Sequence, residues 1–539
     1  MLRIVRFCIL VAAVVPMISS EASSEPLPPP AVLAIGEKAS GKIGEIGGRQ
    51  VFDPGASAGD YLKGRLTVEA GRFDLDLVDP QGGYVRRLAG DAAGIAEFQF
   101  VAGDRPDRLV VTARQPAGSY SLVVEKRVPV AEQRTPRPAY LSRIIADAAA
   151  GIEAGRSTEA FWQMVGERGT PLVEDGSAGR RIVTFVGRGA KRNIRLFGAP
   201  SGDHEELQRL AGSDIWFRSF EVPAATRLSY QLAFDVPDLP GTPRERRVAI
   251  LATAKADPLN RHPWPADAVD AYDQDSILKL EDAPPQPWLE GKEGPQGALT
   301  RFSLASRTLG NTREITVYRP AGFVPEAEDN VLLFVFDADE YTNRVPVPRI
   351  LDNMIAAGAI PPTLAVFVAN PDGPARAREL PANPQFAEFM AKELLPRILQ
   401  ETGLAARPER TVLAGSSYGG LAATTVAMRH PEAFGNVLSM SGSFWWSPPG
   451  TPEDRAEYVA GLVAENPPPN LRFFLSAGLF ETAHGGAAGI LETNRHLRDL
   501  LRARDVPVVY REYAGGHDYL IWRGVISDGL IALFPRDRK

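Results

Sequence analysis

The sequence predicts two β-sandwich domains followed by an α/β domain in which helices flank a mostly parallel sheet. With 539 residues, the chain is longer than one hydrophobic core of ordinary size can serve. Residues 33–128 and 138–285 carry strand-length apolar runs broken by Gly, Asp and Pro, a pattern typical of antiparallel β-structure. In residues 297–539, near-continuous apolar runs alternate with amphipathic stretches, as the strands and helices of a parallel sheet do.

The composition narrows the class of protein. Hydrophobic residues make up 44% and charged residues 23% of the chain, which is typical of a globular protein in water. The net charge of −6 and the absence of a basic block give no electrostatic reason to expect nucleic acid as a partner.

Residues 1–24 have the three-part pattern of a secretory signal peptide. Arg3 and Arg6 precede the apolar run FCILVAAVVPMI, and small polar residues follow, with cleavage predicted near residues 22–24. An uncleaved membrane anchor is the alternative, but the run is shorter than the ~20 residues that span a bilayer. We therefore expect a periplasmic or secreted protein without a stable membrane span once the signal is removed.

Cys8 is the only cysteine, and it lies inside the predicted signal peptide. It comes too early, with no small-residue cleavage site before it, to favour a lipoprotein. The mature protein would then contain no thiol, which excludes disulfides, thiolate metal sites and a cysteine nucleophile.

Residues 33–128 are predicted to form the first β-sandwich. In FDLDLVD (73–79) the apolar residues fall at every second position, as one buried face of an antiparallel strand requires. The run GDYLKGRLTVEAGRFDLDLVDPQGG resembles the bacterial pre-peptidase C-terminal type of domain. That resemblance implies an accessory or binding module and not a catalytic one.

Residues 138–285 follow a linker, PVAEQRTPRPAY (129–140), and begin with a predicted helix that ends at Gly155. Strands are predicted at RRIVTFVGR, IRLFGA, WFRSFEVP and LSYQLAFDV. A second β-sandwich is the simplest account of this succession. Proline-rich stretches at 258–268 and 281–297 lead into the α/β domain.

In residues 297–539 the predicted strands are buried runs and the predicted helices are amphipathic. The strands are EITVYRP, NVLLFVFDAD, TLAVFVAN, RTVLAGSS, NVLSMSG, RFFLSAG and VVYREYAGG. The helices are 345–358, 384–401, 419–430, 486–503 and 524–534.

The stretch GSSYG (415–419) fits the G-x-S-x-G pattern with Ser417 as the nucleophile. The apolar run TVLA precedes it and a predicted helix follows, which is the strand–turn–helix context of the nucleophile elbow in α/β-hydrolases. Neighbours larger than glycine are expected to clash with the strand or the helix. Ser416 is predicted to be a small packed neighbour, and a turn chosen only for small residues is the alternative.

His517 is the predicted general base among the six histidines, because it follows the last predicted strand, where this fold places the base. His430, His484 and His496 lie at a helix end, in a glycine-rich loop and on a helical face. Glu481 follows the strand RFFLSAG and is the predicted triad acid, with a surface carboxylate as the alternative.

The neighbouring Asp518 is poorly placed to orient the imidazole of His517, and we expect it at most to hold the loop. The predicted oxyanion donors are the backbone N–H groups of Tyr418, at the start of the elbow helix, and of Asp339, in the loop after NVLLFVF.

These motifs resemble the enterochelin (enterobactin) esterases, relatives of the esterase D group, over roughly residues 140–539. The likeness is carried by FVFDADEY, RARELPAN, GSSYGGLAA, HPEAFGNVLSMSGSFWW, SAGLFE and GGHDYLIWRG. It implies a serine esterase that hydrolyses the trilactone of a catecholate siderophore, ferric or free, to release iron. By position it assigns Ser417, His517 and Glu481 to the triad, and it implies no metal or organic cofactor, because iron arrives with the substrate.

A ferric tris-catecholate is aromatic and anionic, so arginines and aromatic faces are expected around it. The candidates are Arg376, Arg378, Trp445, Trp446, Trp522 and Arg523, although the tryptophans could equally be core residues.

Three features depart from the family's pattern. The familiar D-G-Q type of oxyanion loop reads Asp337-Ala338-Asp339 here, the predicted signal peptide moves the chemistry to the periplasm, and the first β-domain lies outside the resemblance. A general carboxylesterase acting on feruloyl or acetyl esters, an acyltransferase of the same fold, and a non-catalytic siderophore- or glycan-binding protein are the alternatives.

Overall fold

The computed structural model describes residues 27–105, 107–133, 139–202, 204–290, 294–452, 455–483 and 488–536. The predicted signal peptide, residues 1–24, lies outside the described residues. The chain divides into two compact units between Pro138 and Ala139. Within the described part of the chain, every helix is too short or too polar to cross a bilayer.

The first unit contains a seven-stranded sheet in the order β1-β3-β6-β4-β7-β2, with β5 paired to β4. Its strands are β1 (Ala31–Val32), β2 (Lys38–Ile43), β3 (Arg49–Asp53), β4 (Tyr61–Val78), β5 (Tyr84–Val101), β6 (Arg108–Ala113) and β7 (Gly118–Val128).

Strand β4 connects the two halves of this sheet. Residues 61–70 pair with β7, and residues 73–78 pair with β6. The buried positions change from even numbers, such as Leu62 and Leu66, to odd numbers, such as Leu75 and Leu77, across a register irregularity in the strand. Because residues from both halves share one core, the sheet folds over itself into the two layers of a sandwich.

The second unit begins with two helices and two further sheets, of five and four strands. The elements are α1 (Arg143–Glu153), α2 (Glu159–Arg168), β8 (Leu172–Asp175), β9 (Arg180–Gly187), β10 (Ile194–Gly198), β11 (Gln208–Arg209), β12 (Trp216–Pro223), β13 (Arg227–Phe234), α3 (Pro243–Val248), β14 (Ala254–Lys255), β15 (Pro263–Trp264) and β16 (Asp275–Lys279). The sheets are β10-β13-β16-β15, with β14 beside β13, and β11-β12-β9-β8. Val183 and Phe185 of one sheet share a core with Leu196 and Leu228 of the other, so this part is a β-sandwich.

An eight-stranded sheet forms the rest of the second unit, in the order β17-β18-β20-β19-β21-β22-β23-β24. Its strands are β17 (Ala298–Ser306), β18 (Asn311–Arg319), β19 (Val331–Phe336), β20 (Thr363–Val368), β21 (Thr411–Ser416), β22 (Asn436–Met440), β23 (Arg472–Gly478) and β24 (Val508–Tyr513). Its helices are α4 (Ala338–Thr342), α5 (Val347–Ala356), α6 (Gly373–Glu379), α7 (Pro384–Glu388), α8 (Leu395–Thr402), α9 (Tyr418–Arg429), α10 (Tyr458–Glu465), α11 (Ile490–Ala503) and α12 (Tyr519–Leu533).

Six neighbouring strands of this sheet are parallel, in the order β20-β19-β21-β22-β23-β24. Strands β17 and β18 are antiparallel additions at one edge. Every residue of β19, β20 and β21 is buried, because separate apolar clusters cover the two faces of the sheet. The prediction of an α/β-hydrolase domain after two β-rich domains is therefore confirmed.

Candidate active site

Ser417 lies at a sharp turn between β21 and α9. Its backbone is strained, with φ 58° and ψ −122°, a region that residues with side chains rarely occupy. The turn is held because the Ser417 N–H donates to the Met440 carbonyl at 3.1 Å, and the Ser417 carbonyl accepts from the Ser443 N–H at 3.1 Å. Such a strained strand-to-helix turn is the geometry of a nucleophile elbow, which exposes the serine hydroxyl above the sheet.

The glycines around the serine do not all have the same role. A Cβ on Gly415 would lie 2.6 Å from the Gly419 carbonyl carbon, and one on Gly420 would lie 2.4 Å from Ser439 Oγ. A Cβ on Gly419 would meet only ordinary contacts, at 3.5 Å from Asp337 Oδ2. The expectation that every neighbour must be glycine is therefore wrong for Gly419, because the close approaches are those of α9 to β21 at Gly415 and to Ser439 of β22 at Gly420.

Gly415→Ala is expected to lower the free energy of unfolding by about 1–3 kcal/mol, because α9 must move away from β21. Gly419→Ala is expected to leave it unchanged or raise it by up to about 1 kcal/mol, since alanine favours a helix over glycine. Urea unfolding followed by tryptophan fluorescence measures both. Equal losses in the two variants would contradict the assigned packing.

His517 and Glu481 form a hydrogen-bonded pair at the same edge of the sheet. His517 Nδ1 lies 2.6 Å from Glu481 Oε1, and the imidazole is 40% exposed whereas the carboxylate is 3% exposed. Since Nδ1 is occupied by Glu481, Nε2 is the ring nitrogen available for proton transfer. The pair is thus arranged as the base and the orienting acid of a triad.

The second oxygen of Glu481 is held by two donors. Oε2 accepts the Gly478 N–H at 2.6 Å and the Ser441 hydroxyl at 2.7 Å. Ser441 in turn accepts the Trp522 indole N–H at 3.1 Å, and the Trp522 ring packs edge-on against His517 with centroids 4.8 Å apart. A buried network therefore fixes both the carboxylate and the imidazole.

Other histidines also contact carboxylates, so pairing alone does not identify the base. His496 Nδ1 lies 2.7 Å from Glu457, and His430 Nδ1 lies 3.0 Å from Glu432. Their carboxylates are more exposed than Glu481, at 23% and 69%. His517 differs because its partner is buried and follows β23, the neighbour of β24.

Ser443 contacts Ser417, and the sequence analysis did not single it out. Its Oγ lies 3.3 Å from Ser417 Oγ, and it is almost fully buried. It follows β22, the strand next to β21. Polar residues directly after a buried strand, as in NVLSMSGS, are the sequence signal that could have indicated both Ser441 and Ser443.

The two predicted oxyanion donors lie at helix N-termini. Tyr418 begins α9, and Asp339 is in the first turn of α4, so neither N–H has a carbonyl partner within its helix. The strands before these helices, β21 and β19, are parallel neighbours. Both helices therefore begin at the same edge of the sheet, where their N-termini favour developing negative charge.

The carboxylate that lies buried beside the elbow is Asp337, not the exposed Asp339. Asp337 occupies the N-cap position of α4 in a left-handed conformation, with φ 58°. It accepts two hydrogen bonds from Arg376, at 2.8 and 2.9 Å, and one from Asn370 at 2.8 Å. The charge of Arg376, which lies over the Tyr418 ring at 5.8 Å, is therefore matched by Asp337 before any ligand binds.

Two residues predicted to bind substrate, Trp522 and Arg523, contact other parts of the protein. Trp522 is 3% exposed and braces His517. Arg523 donates to Gln286 at 2.9 Å and lies over the Trp264 ring; burial and the nearby Arg227 lower its pKa to about 10. The prediction for Trp522 is wrong, because its ring belongs to a buried apolar cluster, whereas Arg523 is partly exposed and its role in substrate binding stays a prediction.

The other predicted substrate residues lie at or near the surface. Trp445 is 44% exposed and its ring lies 6.2 Å from that of Tyr418. Trp446 packs edge-on against Tyr458. Arg378 is exposed and contacts Glu379 at 3.3 Å. Of the described residues, no group of His, Cys, Asp and Glu side chains is arranged to hold a metal ion.

Comparisons with known proteins show the family to which the chain belongs. Residues 306–533 match a family model described as "Putative esterase", and residues 182–289 match one described as "Enterochelin esterase, N-terminal". The iron(III) enterobactin esterase of Dickeya dadantii (strain 3937) is 32% identical over 416 residues, covering 70% of this chain and 93% of the relative.

Two solved structures have the same fold as the second unit. The enterobactin esterase from Shigella flexneri, crystallised in the presence of enterobactin, is 28% identical with a TM-score of 0.56, covering 70% of this chain and 97% of that one. The ferric enterobactin esterase from Salmonella typhimurium is 28% identical with a TM-score of 0.57, covering 70% and 98%. The chain belongs to the iron(III) enterobactin esterase family and is a carboxylic-ester hydrolase.

Proposed function

We propose that this protein is an exported serine esterase that hydrolyses the trilactone ester bonds of an enterobactin-like catecholate siderophore, ferric or free, and so releases its iron. The observation that carries the proposal is the pair of His517 with the buried Glu481, 2.6 Å apart, at the same edge of the sheet as the strained Ser417 elbow. The names of the relatives, which are enterobactin esterases, supply the substrate class.

The mechanism follows from the groups at this edge of the sheet. Ser417 Oγ attacks a seryl ester carbonyl while His517 Nε2 accepts its proton. Glu481, bonded to Nδ1, stabilises the imidazolium that forms. The N–H groups of Tyr418 and Asp339 hold the oxyanion. His517 then protonates the leaving hydroxyl. In the second half of the reaction, water attacks the acyl group while His517 takes its proton, and His517 returns that proton to Ser417 Oγ as the acid leaves.

The substrate-facing residues we propose are the exposed Arg378 and Trp445, with Trp446 beside them. An arginine and aromatic faces suit an anionic catecholate. Arg376 is proposed to act through Asp337 and Tyr418, since its two hydrogen bonds go to Asp337. The exposed Asp339 adds negative charge to the oxyanion loop and is expected to favour a less anionic form of the substrate.

Export to the periplasm or beyond is proposed from the sequence of residues 1–24. Basic residues, an apolar run and small polar residues succeed each other there, as in a secretory signal.

One experiment tests the substrate and the compartment together. The protein is isolated from periplasm, its N-terminus is sequenced, and it is incubated with enterobactin, ferric enterobactin and p-nitrophenyl esters, with Ser417→Ala as the blank. We expect a mature N-terminus near residue 24 and linear trilactone fragments in chromatography. Turnover of simple esters without trilactone cleavage would overturn the siderophore assignment, and activity surviving in Ser417→Ala would overturn the nucleophile. Acyl transfer to an added hydroxyl acceptor in preference to water would indicate an acyltransferase.

A further inference from the structure

The loop that carries the general base lies against the β-sandwich that precedes the catalytic domain. This histidine loop, residues 514–518, follows β24, the edge strand of the catalytic sheet. In the sandwich, the last register pair between β10 and β13 is Gly198 with Tyr230. Beyond it, the Arg227 N–H donates to the Ala514 carbonyl at 3.0 Å, and the Ser229 N–H donates to Asp518 Oδ2 at 2.6 Å.

These two donors point the same way, because residues two apart on a strand share an orientation. Arg227 and Ser229 would otherwise face the position beside β13 that β10 leaves empty after Gly198. The histidine loop occupies that position, so its backbone and one carboxylate complete the hydrogen bonding of β13. Two strand N–H groups of one domain are thereby satisfied only by the catalytic loop of the other.

The two carboxylate oxygens of Asp518 accept hydrogen bonds from different domains. Oδ1 caps α12 by accepting the Leu520 N–H at 2.7 Å, while Oδ2 takes the Ser229 N–H. The side chain is buried, and that burial raises its pKa. A capping residue needs only one acceptor oxygen, so the second bond is an addition that binds the loop to the sandwich.

The two glycines before His517 allow this close approach. A Cβ on Gly516 would lie 2.5 Å from Ala199 Cβ, which belongs to the sandwich. A Cβ on Gly515 would lie 2.5 Å from Ile521 Cγ1 on α12 and 2.8 Å from the Arg227 carbonyl oxygen. Gly516 is therefore required by contact with the other domain, and Gly515 by contacts with both α12 and that domain.

The loop of the triad acid also contacts the sandwich. Phe480, next to Glu481, packs against the apolar core between the two sheets of the sandwich. The Phe480 N–H donates to the Gly515 carbonyl at 3.1 Å. Gln286, in the connection after the sandwich, donates to the Leu520 carbonyl at 2.8 Å. Both triad loops and the first turn of α12 are thus held from the same side.

We propose that the β-sandwich of residues 138–285 sets the position of His517, and that Asp518 is the positioning residue through which it acts. The inference rests on the proposed function, in which His517 is the general base. Folding of the catalytic domain alone would leave the histidine loop without the partner that fixes its distance from Ser417. The sandwich is then part of the catalytic apparatus without touching substrate.

A steric pair tests the contact in the full chain. Gly516→Ala is expected to lower kcat by about 100-fold, the effect of a displacement of about 1 Å at a reacting group, with little change in KM. Adding Ala199→Gly removes the obstructing Cβ and leaves the nearest atoms of residue 199 at 3.6 Å. The double variant is therefore expected to recover most of the lost kcat, which a merely local defect in the loop would not allow.

Asp518→Asn provides an independent variant. The asparagine keeps one acceptor oxygen, but its NH₂ group faces one of the two backbone N–H donors and cannot accept from it. We therefore expect kcat to fall while KM stays unchanged. The matched control is Asp235→Asn, another carboxylate that accepts two backbone N–H groups in the sandwich, those of Lys191 and Arg192. The downfield proton resonance of the His517–Glu481 bond should shift in Asp518→Asn and stay in Asp235→Asn.

The outcomes separate the inference from the proposed function. If wild-type protein does not hydrolyse any ester and Ser417 does not react with a fluorophosphonate, the proposed function fails. If wild-type protein is active, the inference is overturned by unchanged kcat in Gly516→Ala, or by a loss that Ala199→Gly does not restore. Loss of kcat with recovery in the double variant supports it, even where Asp518→Asn fails to fold.

Discussion

Glu481→Gln is expected to lower kcat by about 10⁴-fold, the loss found when a triad carboxylate becomes an amide. The donors at Oε2, the Gly478 N–H and the Ser441 hydroxyl, would retain the amide oxygen. The amide NH₂ would then face His517 Nδ1 and require it to accept. The imidazole would carry its proton on Nε2, where it could not take one from Ser417.

The measurement is steady-state hydrolysis of a p-nitrophenyl ester, with Ser417→Ala as the floor at about 10⁶-fold below wild type. Glu457→Gln is the matched control, because Glu457 holds His496 Nδ1 at 2.7 Å in the same manner but lies outside the triad. If Glu481→Gln were no slower than Glu457→Gln, another carboxylate would have to orient the base.

Arg313→Ala is expected to lower the free energy of unfolding of the second unit by about 3–5 kcal/mol, the usual result of removing one partner of a buried ion pair. Arg313, on β18, lies 2.5 Å from Glu379 at the end of α6, and the two side chains are 1% and 5% exposed. Its removal leaves Glu379 buried beside Asn311 and Arg378.

Urea unfolding followed by tryptophan fluorescence isolates this unit, because all seven tryptophans lie between residues 162 and 522. The exposed Arg378 contacts the same carboxylate at 3.3 Å, so Arg378→Ala is the matched control, with an expected loss of about 0–1 kcal/mol. Arg313→Met with Glu379→Leu is expected to recover most of the stability. Equal losses in Arg313→Ala and Arg378→Ala would contradict the burial argument.

The catalytic fold could be predicted because its strands are continuous apolar runs, such as VLLFVF in β19, bounded by turn residues. The sequence did not indicate α4 or α6, which are five and seven residues long, because two turns of helix show no periodic pattern. Strand β17 was missed because it is an edge strand with most of its residues exposed.

Ser417, His517 and Glu481 could be predicted as a triad because each follows a predicted strand of the same sheet, and parallel strands bring their carboxyl ends to one edge. The tertiary partners of the other residues could not be found this way. The Asp337–Arg376 pair joins positions 39 residues apart, and the burial of Trp522 depends on how α12 packs. Charge and aromaticity are the same in a substrate contact and in an internal support, so their roles required the structure.

Strands β4 and β5, each 18 residues long, run through both layers of the first unit. A sandwich built from separate strands could lose one layer and keep the other for a time. Here the opening of either layer withdraws hydrogen bonds from a strand that the other layer also uses. The unit therefore unfolds as one cooperative body, and a break within β4 damages both halves at once.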